Sequence, residues 1–230
     1  MPQPVVLRRL DMAILRDLGS GTGSAPTLTG VPGWDAGCVG RRTIETDPPR
    51  VVRVHPSVTV GRSTIAGDGL FARDHLCVGT IVLRLGGRLV SSTELAALLE
   101  AATADAGTGY VDTITVYEDR HLVLPPRTLA HWCNHSCDPN LWHVGPYEIA
   151  ARKAIRPGEE LTVDYGTHSG APGFRMRCSC GSAGCRREIS GDDWRRPGLQ
   201  ERYGGHWTPA LQCRIDRMTT PRNAGSDPVA

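Results

Sequence analysis

The chain is poor in lysine: of its 26 lysine and arginine residues, one, Lys153, is a lysine. Positive and negative charges almost cancel, leaving a formal net charge of +2. That excludes the strong basic excess by which a nucleic-acid binder announces itself in its total charge. Long apolar runs are missing too, and nothing approaches the roughly 20 residues of a membrane-spanning helix. The first apolar stretch is broken by Arg8, Arg9, Asp11, Arg16 and Asp17, unlike a signal peptide. The eight cysteines lack the dense, regular spacing of a small secreted scaffold. Cys38, Cys77, Cys133 and Cys213 are scattered, whereas Cys137, Cys178, Cys180 and Cys185 fall in the most informative region. An intracellular, reducing compartment is expected, with no membrane partner. At 230 residues there is room for one sizeable domain with ragged ends.

What is present concentrates between residues 134 and 185. Asn134-His135-Ser136-Cys137-Asp138-Pro139-Asn140 sets a carboxamide, an imidazole, a hydroxyl and a thiol in a stretch too polar for a strand core. Asp138-Pro139 marks a bend, because proline fixes its own φ and keeps the preceding residue out of the helical region. Such a loop is costly to bury unless its polar groups find partners, so it is expected to line a site for a polar ligand. Glu159-Glu160-Leu161-Thr162-Val163-Asp164-Tyr165-Gly166 follows as a turn and strand, and Cys178, Cys180 and Cys185 then offer three thiols among glycines. A tetrahedral thiolate site needs a chain that can fold sharply around an ion, and this one can.

These three pieces, in this order, resemble the core of the SET-domain protein-lysine methyltransferases, over about residues 52–190. The resemblance is to a bacterial type that lacks a cysteine cluster ahead of the domain and carries a cysteine-rich post-SET zinc motif. It implies an α+β, mostly β fold of several short sheets (the β-clip fold), with a knot-like C-terminal crossing that pattern alone would not suggest. It further implies methyl transfer from S-adenosyl-L-methionine to a lysine of a protein substrate, and a cytoplasmic location if the source is bacterial. Gly67, Asp68 and Gly69, in the run Gly67 to Ala72, would support the methionine end of that co-substrate. Asn134 would bind its amino-acid end, and His135 would meet the adenine largely through backbone. Tyr165 corresponds to the catalytic tyrosine, also close to the co-substrate, and Tyr110 to a second tyrosine of the lysine channel, with Tyr117 as a rival. A structural Zn2+ would take Cys137 as fourth ligand beside Cys178, Cys180 and Cys185. Two departures stand out: His131-Trp132-Cys133 precedes Asn134 where many members have Arg-Phe-Ile, and Val163 precedes Asp164 where an aromatic is common. If the chain methylates lysines, it has almost none of its own to modify.

A lysine ammonium has no lone pair, but burial in an apolar channel and a neighbouring sulfonium both disfavour its charged form, so no dedicated base is expected. The alternative reading is a non-catalytic SET-like module that binds a peptide and keeps the zinc. A nucleic-acid partner is not expected: Arg175, Arg177, Arg186, Arg187, Arg195 and Arg196 are interspersed with few aromatics suited to base stacking.

Taken in order, residues 1–50 read as a leader, with Val6, Leu10, Ile14 and Leu18 at helical spacing, followed by a Gly/Ser/Thr/Pro-rich linker. Residues 51–172 read as the SET domain. Ile81 to Leu85 and Arg88 to Val90 read as a hairpin turning on Gly86-Gly87. Ser91 and Glu94 form a capping box for a helix to about Ala104, inside an insert at 91–112 that would shape the substrate groove. Tyr110 to Val116 and His121 to Leu124 read as another hairpin. Residues 173–190 hold the cysteine motif, 191–218 a helical extension with Asp192 as cap and Trp194, Leu199 and Tyr203 as apolar points, and 219–230 a disordered tail.

Overall fold

A computed structural model describes residues 46–104, 111–171 and 174–219. Most of the 1–50 leader, Tyr110 and the tail beyond residue 219 therefore lie outside the described residues. Among the described residues thirteen short strands carry the architecture: β1 (Arg53–Val54), β2 (Val58–Arg62), β3 (Asp68–Ala72), β4 (Ile81–Arg84), β5 (Arg88–Val90), β6 (Thr113–Tyr117), β7 (Arg120–Val123), β8 (Asn134–His135), β9 (Leu141–His143), β10 (Glu148–Ala151), β11 (Glu160–Val163), β12 (Arg175–Arg177) and β13 (Glu188–Ser190). Helices are few among the described residues: α1 (Ser92–Ala104), α2 (Pro197–Tyr203) and α3 (Pro209–Thr219), with short 3-10 turns between strands.

The strands sort into sheets of order β1-β4-β10-β9, β2-β3-β11-β8 and β5-β7-β6, with β12-β13 as a two-stranded ribbon. No strand is long enough to bury much alone, so the core is assembled from single residues of many strands: Leu70, Val82, Leu83, Leu122, Leu141, Ile149 and Leu161 are each at most 2% exposed. Each such side chain contributes roughly 1.5–3 kcal/mol by leaving water. Among the described residues all strand pairs are antiparallel except one. β8 runs parallel to β11, Asn134 opposite Thr162 and Val163 opposite His135, and Ser136 N–H extends the pairing to the Val163 carbonyl at 3.1 Å. That pairing carries the central loop to the strand that ends in Tyr165.

The capping box forms as expected. Ser91 N–H donates to Glu94 Oε2 at 2.8 Å and Glu94 N–H donates back to Ser91 Oγ at 3.2 Å, so two otherwise orphaned donors at the start of α1 are satisfied. Strands β6 and β7 form the expected hairpin. Gly86-Gly87 does not make one. β4 pairs with β1 and β10, whereas β5 pairs with β7. The glycines serve a close crossing instead: a Cβ on Gly86 would lie 2.3 Å from the Val51 carbonyl, and one on Gly87 would lie 2.1 Å from the Val123 oxygen. Strands that cross this tightly look like a two-residue turn in sequence.

Helical spacing after residue 191 breaks into a 3-10 turn, α2 and α3. Gly204, at φ +52, ends α2, where a left-handed residue favours glycine. Asp192 stands at the N-cap of the 3-10 turn but makes no side-chain cap bond. Trp194, Leu199 and Tyr203 pack with Trp207, Leu211 and Ile215 into a second apolar cluster.

Candidate functional site

Residues 63–67 join β2 and β3, a hairpin whose register runs from Val58 opposite Ala72 to Arg62 opposite Asp68, so Gly67 closes the turn and Gly69 lies inside β3. Asn134 reaches this turn across the sheet. Its Nδ2 donates to the carbonyls of Ala66 and Asp68 at 3.1 Å each and to Glu160 Oε1 at 2.8 Å. Ser63 Oγ donates to the same Glu160 carboxylate at 2.8 Å and accepts Ile65 N–H at 2.9 Å. Gly69 is required by this packing, since a Cβ there would lie 2.3 Å from Glu160 Oε1 and 3.2 Å from Asn134 Nδ2. At Gly67, by contrast, φ is +52 and the space beside the backbone is open. The Asp68 side chain faces outward to an ion pair with Arg62 at 3.2 Å. Glu160 and Ser63 were not singled out from sequence, although Glu160 lies inside the quoted motif.

Tyr165 follows β11 in a 3-10 turn, Tyr165–Thr167, and is 5% exposed. Its hydroxyl donates to the Cys133 carbonyl at 3.0 Å. Burial, reinforced by Cys133, Asp112 and Glu160 nearby, raises its pKa well above the ordinary tyrosine value, so it stays a neutral donor. It borders a cavity of about 50 Å³ that Val163, Cys133, Asp112, His131 and His168 also line. Leu83, Leu85, Ile114, Leu124 and Ile149 line it as well, so its wall is mostly apolar with a polar patch at Asp112 and His131. Tyr110 lies outside the described residues; its rival Tyr117 is buried in β6, where its hydroxyl accepts Thr46 N–H at 3.1 Å.

The structure uses the side chain of His135 as well as its backbone. A backbone amide can only donate, so Nδ1 of His135 accepts Tyr165 N–H at 3.1 Å and the ring proton sits on Nε2. Nε2 then points its proton at Cys137 Sγ, 3.4 Å away. Burial pushes the imidazole pKa down to about 4, which keeps this neutral tautomer in place. One ring thus links the tyrosine backbone to the cysteine cluster.

The sulfurs of Cys137, Cys178, Cys180 and Cys185 all lie within 4.8 Å of one another. Cys137 and Cys178 are 3.8 Å apart, close to the ~3.8 Å edge of a tetrahedron with metal–sulfur bonds of about 2.3 Å. Each sulfur accepts one backbone N–H: Cys137 from Arg186 at 3.3 Å, Cys178 from Cys180 at 3.5 Å, Cys180 from Cys137 at 3.4 Å and Cys185 from Arg187 at 3.4 Å. Four convergent thiols, each with a donor to stabilise its anion, fit a thiophilic cation.

Arg186, grouped by sequence with exposed arginines, is buried. It holds Asp164 through two hydrogen bonds, lies 3.1 Å from Asp193 Oδ2, and has a side chain 6% exposed. Tyr203 Oη on α2 donates to Asp164 Oδ2 at 2.7 Å, and Arg202 donates to the Cys137 carbonyl at 2.8 Å. The extension after the cysteines is thereby bonded to both the central loop, at Cys137, and the strand end at the site.

Residues 67–166 match the family model of the SET domain. That match takes in the Gly67 to Gly69 run, Asn134 and Tyr165. Over 142 residues, 56% of this chain, it is 36% identical to the histone H3-lysine(4) N-trimethyltransferase ATX1 of Arabidopsis thaliana, covering 13% of that protein. It is 31% identical over 142 residues to histone-lysine N-methyltransferase 2B of Homo sapiens, matching 58% of this chain and 5% of that one. With the histone-lysine N-methyltransferase trithorax of Drosophila virilis it shares 33% identity over 145 residues, 58% of this chain and 4% of the relative. The chain spans only a small part of the length of these relatives.

Proposed function

We propose that this chain is a protein-lysine methyltransferase that uses S-adenosyl-L-methionine to methylate the side-chain amine of a lysine in a protein substrate. One observation carries the reading: a polar turn suited to an amino-acid ligand (Asn134 and Glu160 at Gly67 to Gly69) and a tyrosine-lined cavity are joined by the two short parallel strands β8 and β11. The relatives named for histone-lysine methylation support the same chemistry. Asn134 spends its amide nitrogen on the turn, which leaves its oxygen for a ligand ammonium, and open space at Gly67 admits a ligand against the backbone. When bound, the co-substrate supplies a methyl on a sulfonium. The residues of the chain orient: nitrogen lone pair, methyl carbon and sulfur must lie on one line, and positioning dominates such a transfer.

Cys137, Cys178, Cys180 and Cys185 would hold a structural Zn2+ as a post-SET site. In this reading the ion fastens residues 178–185 to the central loop, and the parallel β8–β11 pairing belongs to a knot-like crossing. Neither membrane nor nucleic acid has a place in it, and no helix among the described residues is long and apolar enough to cross a membrane.

The test is transfer of labelled methyl from S-adenosyl-L-methionine to recombinant histone H3 and to proteins of a lysate, with the modified residues read by mass spectrometry. Label on lysines, lost in Tyr165→Phe and Asn134→Ala, is the expected result. Co-substrate binding without transfer to any protein would instead identify a SET-like binding module.

A further inference from the structure

Residues 191–219 hold none of the groups proposed to meet the co-substrate or the lysine, yet this extension reaches the turn that carries Tyr165. Between the end of α2 and the start of α3 it makes four bonds to four points around the site. Arg202 Nη1 donates to the Cys137 carbonyl at 2.8 Å and Tyr203 Oη to Asp164 Oδ2 at 2.7 Å. His206 Nδ1 donates to the His143 carbonyl at 2.6 Å, and Thr208 N–H to the Thr167 carbonyl at 3.0 Å. Tyr203 and Thr208 thus grip the two ends of one 3-10 turn, since Asp164 is its N-cap and Thr167 its final residue.

Tyr165 is the first residue of that turn, and Asp164 sets the path of the chain through it. Asp164 Oδ1 accepts Gly166 N–H at 2.9 Å, and the Asp164 carbonyl accepts Thr167 N–H at 2.9 Å. Oδ2 has two donors, Arg186 Nη1 and Tyr203 Oη. The Asp164 side chain is 1% exposed, so water does not replace a donor lost there. Tyr203 is also 1% exposed. Its ring stands edge-on to Trp207 at 5.5 Å between centroids, with the Arg152 guanidinium 5.9 Å from its centre. Packing of the ring therefore aims the hydroxyl.

We infer that Tyr203 is a positioning residue for methyl transfer, its hydroxyl holding the Asp164 carboxylate so that Tyr165 keeps its place beside the cavity; this rests on the methyltransferase reading above. Without the hydroxyl, Oδ2 keeps Arg186 as its donor and the carboxylate tilts toward it. The turn follows, because Gly166 N–H is bonded to the other oxygen. The Tyr165 hydroxyl, which donates to the Cys133 carbonyl at 3.0 Å, then moves relative to the reacting groups. A transfer governed by alignment loses rate, and a misplacement of about 1 Å can cost about 10²-fold. The turn at Gly67 and Asn134 lies outside this chain of contacts, so co-substrate affinity is kept.

Tyr203→Phe removes one oxygen and retains the ring. It is compared with wild type and with Ile215→Ala, which opens the same apolar cluster from α3 without touching Asp164. Label transfer to recombinant histone H3, or to a lysate protein that the wild type labels, is measured below the melting temperature of both variants. Rates are expressed per site that binds S-adenosyl-L-methionine in calorimetry, so that unfolded chains do not count. The expected result is a kcat about 10- to 10²-fold lower in Tyr203→Phe, with KM for the protein substrate and affinity for the co-substrate within about twofold of wild type. Ile215→Ala is expected to lose melting temperature and keep its kcat. A wild-type kcat in Tyr203→Phe overturns the inference. Equal loss in Ile215→Ala, or loss of co-substrate binding in Tyr203→Phe, assigns the tyrosine to stability and overturns it as well. Wild-type protein that binds the co-substrate but labels no protein overturns the methyltransferase reading and this inference with it, whereas the preceding outcomes, with the wild type active, overturn this inference alone.

Discussion

Asp164 receives both terminal nitrogens of Arg186, Nη1 at 2.7 Å and Nη2 at 2.6 Å, with side chains 1% and 6% exposed. The pair sits between strand β11, the cysteine loop and helix α2, and Tyr203 Oη and Gly166 N–H complete the acceptor capacity of the carboxylate. Burial alone would raise the Asp164 pKa, but the Arg186 hydrogen bonds and the other donors win and hold it below the ordinary carboxylate value. Arg186→Ala leaves that charge buried without its partner, and a stability loss of roughly 3–5 kcal/mol is expected in chemical unfolding. A loss below about 1 kcal/mol, the scale of an exposed pair, would mean the pair is solvated in solution.

Acid should unfold the protein through its buried imidazoles. His168 is shifted from 6.5 down to about 4 because burial disfavours the cation, with Asp164 and Asp112 only partly opposing. Its folded pKa lies below its unfolded one, so its contribution is fully present above pH 6.5 and is lost as pH falls through about 4. The size is roughly 3 kcal/mol for a group so deeply buried. Unfolding free energies measured between those two pH values should fall less steeply for His168→Asn than for wild type; identical slopes would assign the acid sensitivity elsewhere.

Replacing one cysteine sulfur should loosen more than a surface loop. Cys180→Ser removes one of the four clustered sulfurs and the acceptor for Cys137 N–H. Bound metal, measured by elemental analysis, is expected to drop below one ion per chain, with a fall in melting temperature. Because His135 bonds both Cys137 Sγ and Tyr165 N–H, the tyrosine near-ultraviolet dichroism should change as well. A full metal complement in the variant would refute the four-sulfur site.

At Gly69 the smallest possible side chain is too large. Its Cβ would come within 2.3 Å of Glu160 Oε1, displacing the carboxylate that orients Asn134. Gly69→Ala is expected to weaken S-adenosyl-L-methionine binding by about tenfold or more in calorimetry, with a stability cost of about 1–3 kcal/mol from overpacking. Wild-type affinity would detach this turn from the ligand site.

Much of this organisation was legible in the residues. The capping box at Ser91 and Glu94, the β6–β7 hairpin and the grouping of Cys178, Cys180 and Cys185 are local, and local chemistry shows in local sequence. Gly86-Gly87 misled because a close backbone crossing and a tight turn demand the same residue. Arg186 looked like its exposed neighbours because its partner Asp164 is 22 positions away. The roles of the His135 side chain and of the Asp112–His131 bond in the cavity wall depend on contacts between elements that no spacing encodes.

The bonds from Arg202 and Tyr203 to the Cys137 carbonyl and the Asp164 carboxylate have a consequence during synthesis. The loop at 134 waits for the strand at 162, and both wait for a helix that leaves the ribosome some forty residues later. A nascent chain stalled before that helix would hold every described strand yet lack the two bonds that fasten the Cys137 carbonyl and the Asp164 carboxylate in place.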